Sequence, residues 1–248
     1  MGADPQAQKR DRAVIRRRVA YVFSAVLVSL GLIQQPPIAQ AATTPVAAGD
    51  TIVHGDLECT LGYVYRASGH TMAVSAGHCA GADHTGPVTD REAGITGRTI
   101  SVTYIPSHDD GPPLKDWWLI DFGDVAWSDH IAHTHYQVIT YMNVREADWV
   151  CHYGEASAQE ICGYVSKVNT PLITVTQVGR KGDSGGPTYM KINDTVVAAV
   201  GLWQGHFTSP YPGGYVMSLP AALDYFRTNS TQLSAAMGSV PKADRTAQ

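Results

Sequence analysis

The stretch Gly182-Asp183-Ser184-Gly185-Gly186-Pro187 decides how this chain is interpreted. It places one serine in a tight turn, because Gly182 and Gly185 tolerate backbone angles that a side chain would forbid. The side chain of Ser184 then projects outward, and the backbone amides of Gly182 and Ser184 can converge on one point. Because such a point is an oxyanion hole, the motif favours a hydroxyl nucleophile over a structural turn.

A second segment, Ser75-Ala76-Gly77-His78-Cys79, supplies the base that this nucleophile needs. A serine hydroxyl is protonated at neutral pH and becomes reactive only beside a proton acceptor. The segment closes an apolar run over residues 72–74, so its histidine follows a buried strand. His78 is therefore the candidate general base for Ser184.

An acidic third member is expected within residues 116–127, which contain three aspartates. The acid has to be buried against the histidine and orient its ring. Asp121 follows the apolar run 117–120, and we predict that it is the orienting acid. Asp124 and Asp116 are the alternatives.

Composition and patterning indicate a globular all-β chain. The 248 residues are 44% hydrophobic, enough for one large domain or two smaller halves. The formal net charge of -4 provides no basic excess, so nucleic acid is not an expected partner.

Short runs rich in Val, Ile, Thr, Tyr and Trp alternate with Gly, Pro, Asp and Asn clusters, which is typical of a β-sandwich or barrel. Helical periodicity is confined to residues 219–227, where Ser218 can cap and Pro220 suits the first turn, and a flexible tail is predicted over 231–248.

The first 41 residues have the order of a signal peptide. Basic residues up to Arg18 precede an apolar stretch over 19–33, and small residues follow at 39–41. The apolar stretch is shorter than the roughly 20 residues that a membrane-spanning helix needs. We therefore predict export to a secreted or cell-envelope location, with no stable membrane span after cleavage and a short lead from residue 42.

The four cysteines lie in the predicted exported part, where an even number indicates two disulfides. Three pairings are possible, and proximity along the chain favours Cys59 with Cys79 and Cys151 with Cys162. A metal site is the alternative, although the chain has no C-x-x-C spacing.

The chain resembles the chymotrypsin-fold serine proteases, most closely the secreted bacterial branch of streptogrisins and alpha-lytic protease. The resemblance implies two six-stranded antiparallel β-barrels, over residues 42–135 and 136–230, with a C-terminal helix. It also implies a serine endopeptidase that cleaves peptides or proteins through an acyl-enzyme, with no cofactor or metal. We expect a monomer. The segments that carry the resemblance are Gly49-Asp50-Thr51-Ile52, Cys59-Thr60-Leu61-Gly62-Tyr63, Gly77-His78-Cys79, Val150-Cys151-His152-Tyr153-Gly154, Cys162-Gly163 and Gly182 to Pro187.

The resemblance implies the same two cysteine pairs and a substrate-binding strand. That strand includes Gln204, Gly205 and His206, whose backbone is expected to pair with the substrate. Trypsin-like enzymes hold an aspartate for Lys or Arg where this chain has Val178, so a basic preference is not supported.

Asp183 needs a partner, because a buried carboxylate is costly unless it is paired or hydrogen-bonded. In the resembled branch an arginine follows the first cysteine of the second pair, and this chain has His152 there. We predict that His152 pairs with Asp183. The alternative is that Arg180 or a backbone amide satisfies the carboxylate.

Two other interpretations remain open. The chain could be a catalytically silent protein that keeps the fold to bind a partner at the cell envelope. Separately, His130, His133 and His135 could form a metal site, although a polar loop is the interpretation we favour.

Overall fold

The computed structural model describes residues 44–82, 84–107, 111–208 and 211–229. The predicted signal peptide over 1–41 and the predicted tail over 231–248 lie outside the described residues. The described chain is built almost entirely from strands, as predicted from the sequence, and they form two sheets.

The first sheet has seven strands in the order β3-β2-β6-β7-β8-β5-β4 and is curled around an apolar core. All its pairings are antiparallel, and β8 is buried on both faces. Trp118 and Ile120 point into the core of this sheet, whereas Trp117 and Leu119 pack towards the terminal helix. The strands are β2 (Thr51–His54), β3 (Leu57–Thr60), β4 (Tyr63–Ala67), β5 (His70–Ser75), β6 (Pro87–Asp90), β7 (Ile95–Ile105) and β8 (Lys115–Asp121).

The second sheet contains a closed barrel of six strands, because β15 pairs with both β14 and β16. Around the barrel the order is β14-β11-β12-β13-β16-β15, and β10, β9 and β1 extend the sheet beyond β15. The strands are β1 (Val46–Ala48), β9 (Trp127–Ile131), β10 (Gln137–Tyr141), β11 (Trp149–Gly154), β12 (Gln159–Asn169), β13 (Leu172–Val175), β14 (Pro187–Lys191), β15 (Val196–Phe207) and β16 (Gly213–Ser218).

The predicted two-barrel fold is confirmed, with two differences in detail. The first sheet has seven strands and its edges, β3 and β4, do not pair with each other. At the end of β3 the backbone N–H of Thr60 donates instead to the carbonyl of Ser184, at 2.8 Å. The pairs β1–β9 and β10–β15 are parallel, which is possible because long stretches of chain separate their members.

The predicted terminal helix is α1 (Leu219–Asn229). The N–H of Ala221 donates to Ser218 Oγ at 3.3 Å, so Ser218 caps the helix as predicted. The apolar residues of α1 pack against Trp117 and Leu119 of the first sheet and Leu202 of the second. No helix among the described residues is long and apolar enough to cross a bilayer.

Both predicted disulfides are confirmed. Cys59–Cys79 ties the end of β3 to the 3-10 turn Gly77–Ala80, and Cys151–Cys162 joins directly opposed residues of β11 and β12. The first disulfide therefore anchors the turn that carries His78.

Candidate active site

His78 lies on the 3-10 turn that follows β5 and is held by a single carboxylate. Its ring Nδ1 lies 2.6 Å from Asp116 Oδ2, and its backbone N–H donates to Asp116 Oδ1 at 2.8 Å. Asp116 is fully buried, whereas the side chain of His78 is 32% exposed. Two bonds to one acid fix the ring and its backbone together, so Nε2 faces outward with no hydrogen bond to the described chain.

Gly77 makes this close approach possible. A Cβ at position 77 would lie 2.5 Å from the carbonyl oxygen of Thr103 and 3.0 Å from Asp116 Oδ1. Any side chain there would push the histidine turn away from β7 and β8. The glycine therefore allows the His78 turn to lie close to Asp116.

The prediction that Asp121 orients His78 is wrong. Asp121 lies at the far end of β8, where its carboxylate accepts hydrogen bonds from Arg98 Nη2 at 2.7 Å and from the N–H of Gly123 at 2.7 Å. His70 Nδ1 lies 3.0 Å from both of its oxygens. Burial raises the pKa of Asp121, but the bonds from Arg98, Gly123 and His70 outweigh it and lower the pKa. The other alternative, Asp124, is exposed and forms an ion pair with Arg66.

Ser184 is positioned by Thr60, a residue of the first sheet that the sequence interpretation did not identify. The N–H of Thr60 donates to the carbonyl of Ser184 at 2.8 Å, and Thr60 Oγ1 donates to the carbonyl of Gly182 at 2.9 Å. Thr60 is fully buried. It thus fixes the carbonyls on both sides of Asp183 and locks the nucleophile turn against the first sheet.

The turn from Arg180 to Asp183 has the geometry that an oxyanion hole needs. The N–H of Asp183 donates to the carbonyl of Arg180 at 3.1 Å, and Gly182 has φ +104°. A positive φ at the third position of a turn defines type II and requires glycine. Within the described residues the N–H groups of Gly182 and Ser184 donate to no protein acceptor, so both are available to a ligand.

The hydroxyl of Ser184 faces the candidate substrate-binding strand. Ser184 Oγ donates to the carbonyl of Gln204 at 3.5 Å, and no hydrogen bond joins it to His78 Nε2. Catalytic hydrogen bonds are often long without substrate and tighten when it binds. The Gln204 side chain is buried, and its Nε2 donates to the backbone carbonyl of Asp116 at 3.2 Å. Gln204 therefore links the acid of the first sheet to the second barrel.

Asp183 is fully buried and accepts three hydrogen bonds. Oδ1 accepts from the N–H of Ser157 at 2.8 Å, whereas Oδ2 accepts from Ser157 Oγ at 2.5 Å and from the N–H of Arg180 at 2.6 Å. Burial raises the pKa of Asp183, but the neighbouring His152 and the donors on Ser157 and Arg180 lower it below its ordinary value. The carboxylate is therefore held in its charged form behind the nucleophile.

The predicted contact between His152 and Asp183 exists, at 3.8 Å from Nε2 to Oδ2. This distance allows attraction between charges but is too long for a hydrogen bond. The imidazole is fully buried, stacks on Trp203 with ring centroids 3.8 Å apart, and neither of its nitrogens has a hydrogen-bond partner. The alternative is also present, because the amide of Arg180 is one of the donors to Asp183.

Within the described residues His130, His133 and His135 do not come together as one set of metal ligands, although His133 offers a ring nitrogen within 4.8 Å of oxygens of Glu92 and Glu155. His130 pairs with Asp129, and His135 Nε2 lies 2.9 Å from the carbonyl of Asp194. The ring of His133 lies 6.3 Å from that of Tyr153, measured between centroids. The interpretation as a polar loop agrees with these contacts.

Comparison with solved structures identifies the fold. The described chain has the chymotrypsin-like fold of bacterial serine proteases. It is similar to protease A of Thermobifida fusca, with a TM-score of 0.58 and 19% identity over 74% of this chain and 96% of the other. It is also similar to alpha-lytic protease homolog N4, with a TM-score of 0.57 and 21% identity over 74% and 97% of the two chains.

Comparison of the sequence with those of other proteins shows the family to which the chain belongs. The chain is 31% identical over 238 residues to the uncharacterized proteins Rv1815 and MT1863 of two Mycobacterium tuberculosis strains, covering 92% of this chain and 99% of each relative. The chain belongs to the family of these mycobacterial proteins. No protein-family model matches it.

Proposed function

We propose that this chain is a secreted serine endopeptidase that hydrolyses peptide bonds through an acyl-enzyme. The single observation that carries the proposal is that His78 pairs with the buried Asp116 on the turn whose Cys79 Sγ lies 3.9 Å from the carbonyl of Ser184. The turn of Ser184 leaves two backbone N–H groups without an acceptor among the described residues. An acid, a base, a hydroxyl and an oxyanion hole are the groups that acyl transfer requires.

In the proposed reaction Ser184 Oγ attacks the carbonyl carbon of the substrate and gives its proton to His78 Nε2. The carbonyl oxygen becomes an oxyanion, which accepts hydrogen bonds from the N–H groups of Gly182 and Ser184. The C–N bond then breaks as His78 returns the proton to the leaving amine. Asp116 keeps the proton on Nδ1 throughout, so that Nε2 can act as the base. A water molecule then gives a proton to His78 and attacks the ester carbonyl carbon. The bond from that carbon to Ser184 Oγ breaks as His78 returns the proton to Oγ, which releases the acid product and restores the hydroxyl.

The substrate backbone lies along β15 in this proposal. The carbonyl of Gln204 accepts a long hydrogen bond from Ser184 at 3.5 Å, and in the proposed complex it accepts one from the N–H of the substrate residue that precedes the cut bond. Gly205 and His206 continue the same strand and would extend the pairing by adding the substrate as a strand.

Export agrees with the two disulfides, because such bonds persist in oxidising compartments. It also agrees with the order of residues 1–41, which is that of a signal peptide.

A binding protein without activity is the second candidate, and one observation favours it. Ser184 Oγ donates to a backbone carbonyl rather than to His78. If this arrangement persisted in the presence of substrate, the hydroxyl would lack its base.

Covalent labelling separates the two candidates. We expect an alkyl fluorophosphonate to label the full chain at Ser184, because the reagent needs an activated hydroxyl and an oxyanion hole. Ser184→Ala should take up no label, and His78→Ala should label at least about 10³-fold more slowly. Intact-mass and peptide-mass measurements locate the adduct. A folded wild-type chain that takes up no label would establish the binding-protein alternative.

A further inference from the structure

Three carboxylates come together away from the candidate active site. Asp50 immediately precedes β2, Asp90 ends β6, and Glu92 lies in the turn between β6 and β7. Each offers an oxygen that lies within 4.8 Å of those of the other two. Asp50 is 2% exposed and Asp90 is 0% exposed, so two of the three charges are inside the protein.

Within the described residues no Lys or Arg forms an ion pair with these carboxylates, although a ring nitrogen of His133 lies within 4.8 Å of a Glu92 oxygen. The neighbouring Arg91 pairs with Glu58 instead. Asp90 Oδ1 accepts a hydrogen bond from the N–H of Ala93 at 2.8 Å, whereas no donor among the described residues reaches the buried Asp90 Oδ2, and the Asp90 carboxyl group interacts with that of Asp50. Because buried carboxylates are costly when uncompensated, this cluster has to hold either a cation or a proton.

The carboxylates are already oriented by the backbone around them. The N–H of Ala47 donates to Asp50 Oδ2 at 2.7 Å. Thr51 donates to both oxygens of Glu92, through its N–H and its hydroxyl, each at 2.8 Å. A ligand would therefore meet a site that is largely formed.

We propose that Asp50, Asp90 and Glu92 form a binding site for a divalent cation of the calcium class. A ligand set that consists only of carboxylate oxygens suits a hard cation, and water completes the coordination of such ions. The bound ion would tie the segment before β2 to the β6–β7 turn. This proposal departs from the expectation of no metal, which considered only the cysteines and the histidine-rich segment.

The test uses Ca²⁺ alone with the full chain. After treatment with a chelator, calorimetric titration should show one Ca²⁺ bound per chain. At about 100-fold excess over Kd, the melting temperature should rise by roughly 5–10 °C. Asp90→Asn should abolish the binding, whereas Glu146→Gln, which removes an exposed carboxylate elsewhere, should leave it unchanged.

Glu92→Gln keeps the test decisive if Asp90→Asn fails to fold, because Glu92 is only partly buried. We expect it to weaken Ca²⁺ binding at least about tenfold. Burial and the charge of Asp90 raise the pKa of Asp50 to about 8, so a shared proton is the competing neutraliser. If the wild type binds no Ca²⁺, or Glu92→Gln binds it equally well, the cation site is overturned.

A different observation concerns the side chain of Trp203, which immediately precedes Gln204 on β15. Its backbone is fixed to the nucleophile turn, because its N–H donates to the carbonyl of Gly186 at 2.9 Å and its carbonyl accepts from the N–H of Gly185 at 2.6 Å. The indole is fully buried and stacks on His152. Trp203 thus lies beside the nucleophile.

Glycines on two segments make room for this indole. A Cβ at position 179 would lie 2.9 Å from Trp203 Cε2, and one at position 214 would lie 2.1 Å from Cη2. Gly179 precedes the nucleophile turn, and Gly214 lies on β16. The indole therefore fills the space between the nucleophile segment and β16.

That space is where a substrate side chain would project. Consider a substrate whose carbonyl carbon contacts Ser184 Oγ and whose backbone follows β15. The residue that precedes the cut bond then places its side chain in the space between the nucleophile segment and β16. Resting on the proposed function, we infer that Trp203 occupies this pocket and restricts the residue before the cut bond to small ones, such as Gly or Ala.

Two phosphonate probes test the inference, one with a methyl and one with a benzyl side chain at the position before the reactive phosphorus. The wild type should react with the methyl probe at least about tenfold faster than with the benzyl probe, and Trp203→Ala should reverse or abolish that preference. Trp203→Leu is the variant to use if the alanine variant is unfolded. Trp149→Ala, at a residue 48% exposed, is the matched control and should keep the wild-type preference.

The outcomes separate this inference from the proposed function. If neither probe labels the wild type or any folded variant, the proposed function is wrong. Rapid labelling of the wild type by the benzyl probe would contradict the filled pocket while supporting the enzyme.

Discussion

Asp116→Asn is expected to lower kcat/KM by about 10⁴-fold at neutral pH, with little change in KM. The substitution keeps the size of the side chain but replaces an oxygen that accepts the Nδ1 proton of His78 at 2.6 Å. The amide can present its NH₂ group to Nδ1, which stabilises the ring with its proton on Nε2. In that tautomer Nε2 cannot take the proton of Ser184.

Asp121→Asn is the matched control, since it makes the same chemical change five positions further along β8. The carboxylate that it removes binds Arg98, His70 and the N–H of Gly123 rather than His78. We expect a loss of about 1–3 kcal/mol in the free energy of unfolding and a change in kcat/KM of only a few-fold. Steady-state kinetics and thermal unfolding of both variants check this. If Asp121→Asn lost activity and Asp116→Asn kept it, the assignment of the acid would be reversed.

Asp183→Asn is expected to reduce kcat by about 10²–10³-fold, comparable to the loss of an oxyanion-hole donor. Asp183 accepts hydrogen bonds from Ser157 Oγ, Ser157 N–H and Arg180 N–H. An asparagine would turn an NH₂ group towards at least one of these donors. The turn would shift, and the N–H of Gly182 would leave the position in which it faces the oxyanion.

His152→Phe determines whether the imidazole acts as the counter-ion of Asp183. Phenylalanine preserves the stacking on Trp203 but removes the ring nitrogen Nε2, which lies 3.8 Å from the carboxylate. We expect kcat to fall by about 10–100-fold, because three hydrogen bonds remain on the buried carboxylate. Activity equal to the wild type would show that Ser157 and Arg180 suffice.

The pKa of Asp183 also predicts the direction of pH dependence. Because its pKa is lowered by folding, the stabilisation from the charged form is present above the ordinary pKa of 3.8 and is lost as pH falls through the lower, folded value. Acid inactivation of the wild type should therefore follow the protonation of this group. In Asp183→Asn the free energy of unfolding should fall less than in the wild type as the pH is lowered, which unfolding measurements at successive pH values check.

Features that depend on residues close together in the sequence could be predicted from the sequence alone. Gly182 and Gly185 identify the nucleophile turn, because only glycine suits their backbone angles. Ser218 and Pro220 predict the start of α1. The cysteine pairs could be inferred from proximity because each closes a short loop.

The acid could not be identified from local signals, because its position depends on how two strands pair. In the antiparallel pair of β5 and β8, Ser75 lies opposite Trp118 and Met72 opposite Asp121. His78 follows the end of β5, so it meets the beginning of β8, where Asp116 lies. The apolar run 117–120 predicts an aspartate at its end, Asp121, whereas the aspartate that contacts His78 comes before the run.

The residues that hold the nucleophile turn by hydrogen bonds could not be predicted from the sequence for a related reason. Thr60 is 124 positions before Ser184 by sequence number, and Ser157 is 26 positions before Asp183. Their side chains act only after the two sheets are assembled. A buried threonine after a cysteine and a serine in a turn carry no signal for these roles in a single sequence.

Peptide-bond cleavage by the purified full chain tests the central claim most directly. A mixed peptide library is incubated with the wild type, with Ser184→Ala and with Asp116→Asn, and the new termini are identified by mass spectrometry. We expect new termini with the wild type, none with Ser184→Ala and about 10⁴-fold slower cleavage with Asp116→Asn. Cleavage by Ser184→Ala at the wild-type rate, or no cleavage by a folded wild type, would contradict that claim.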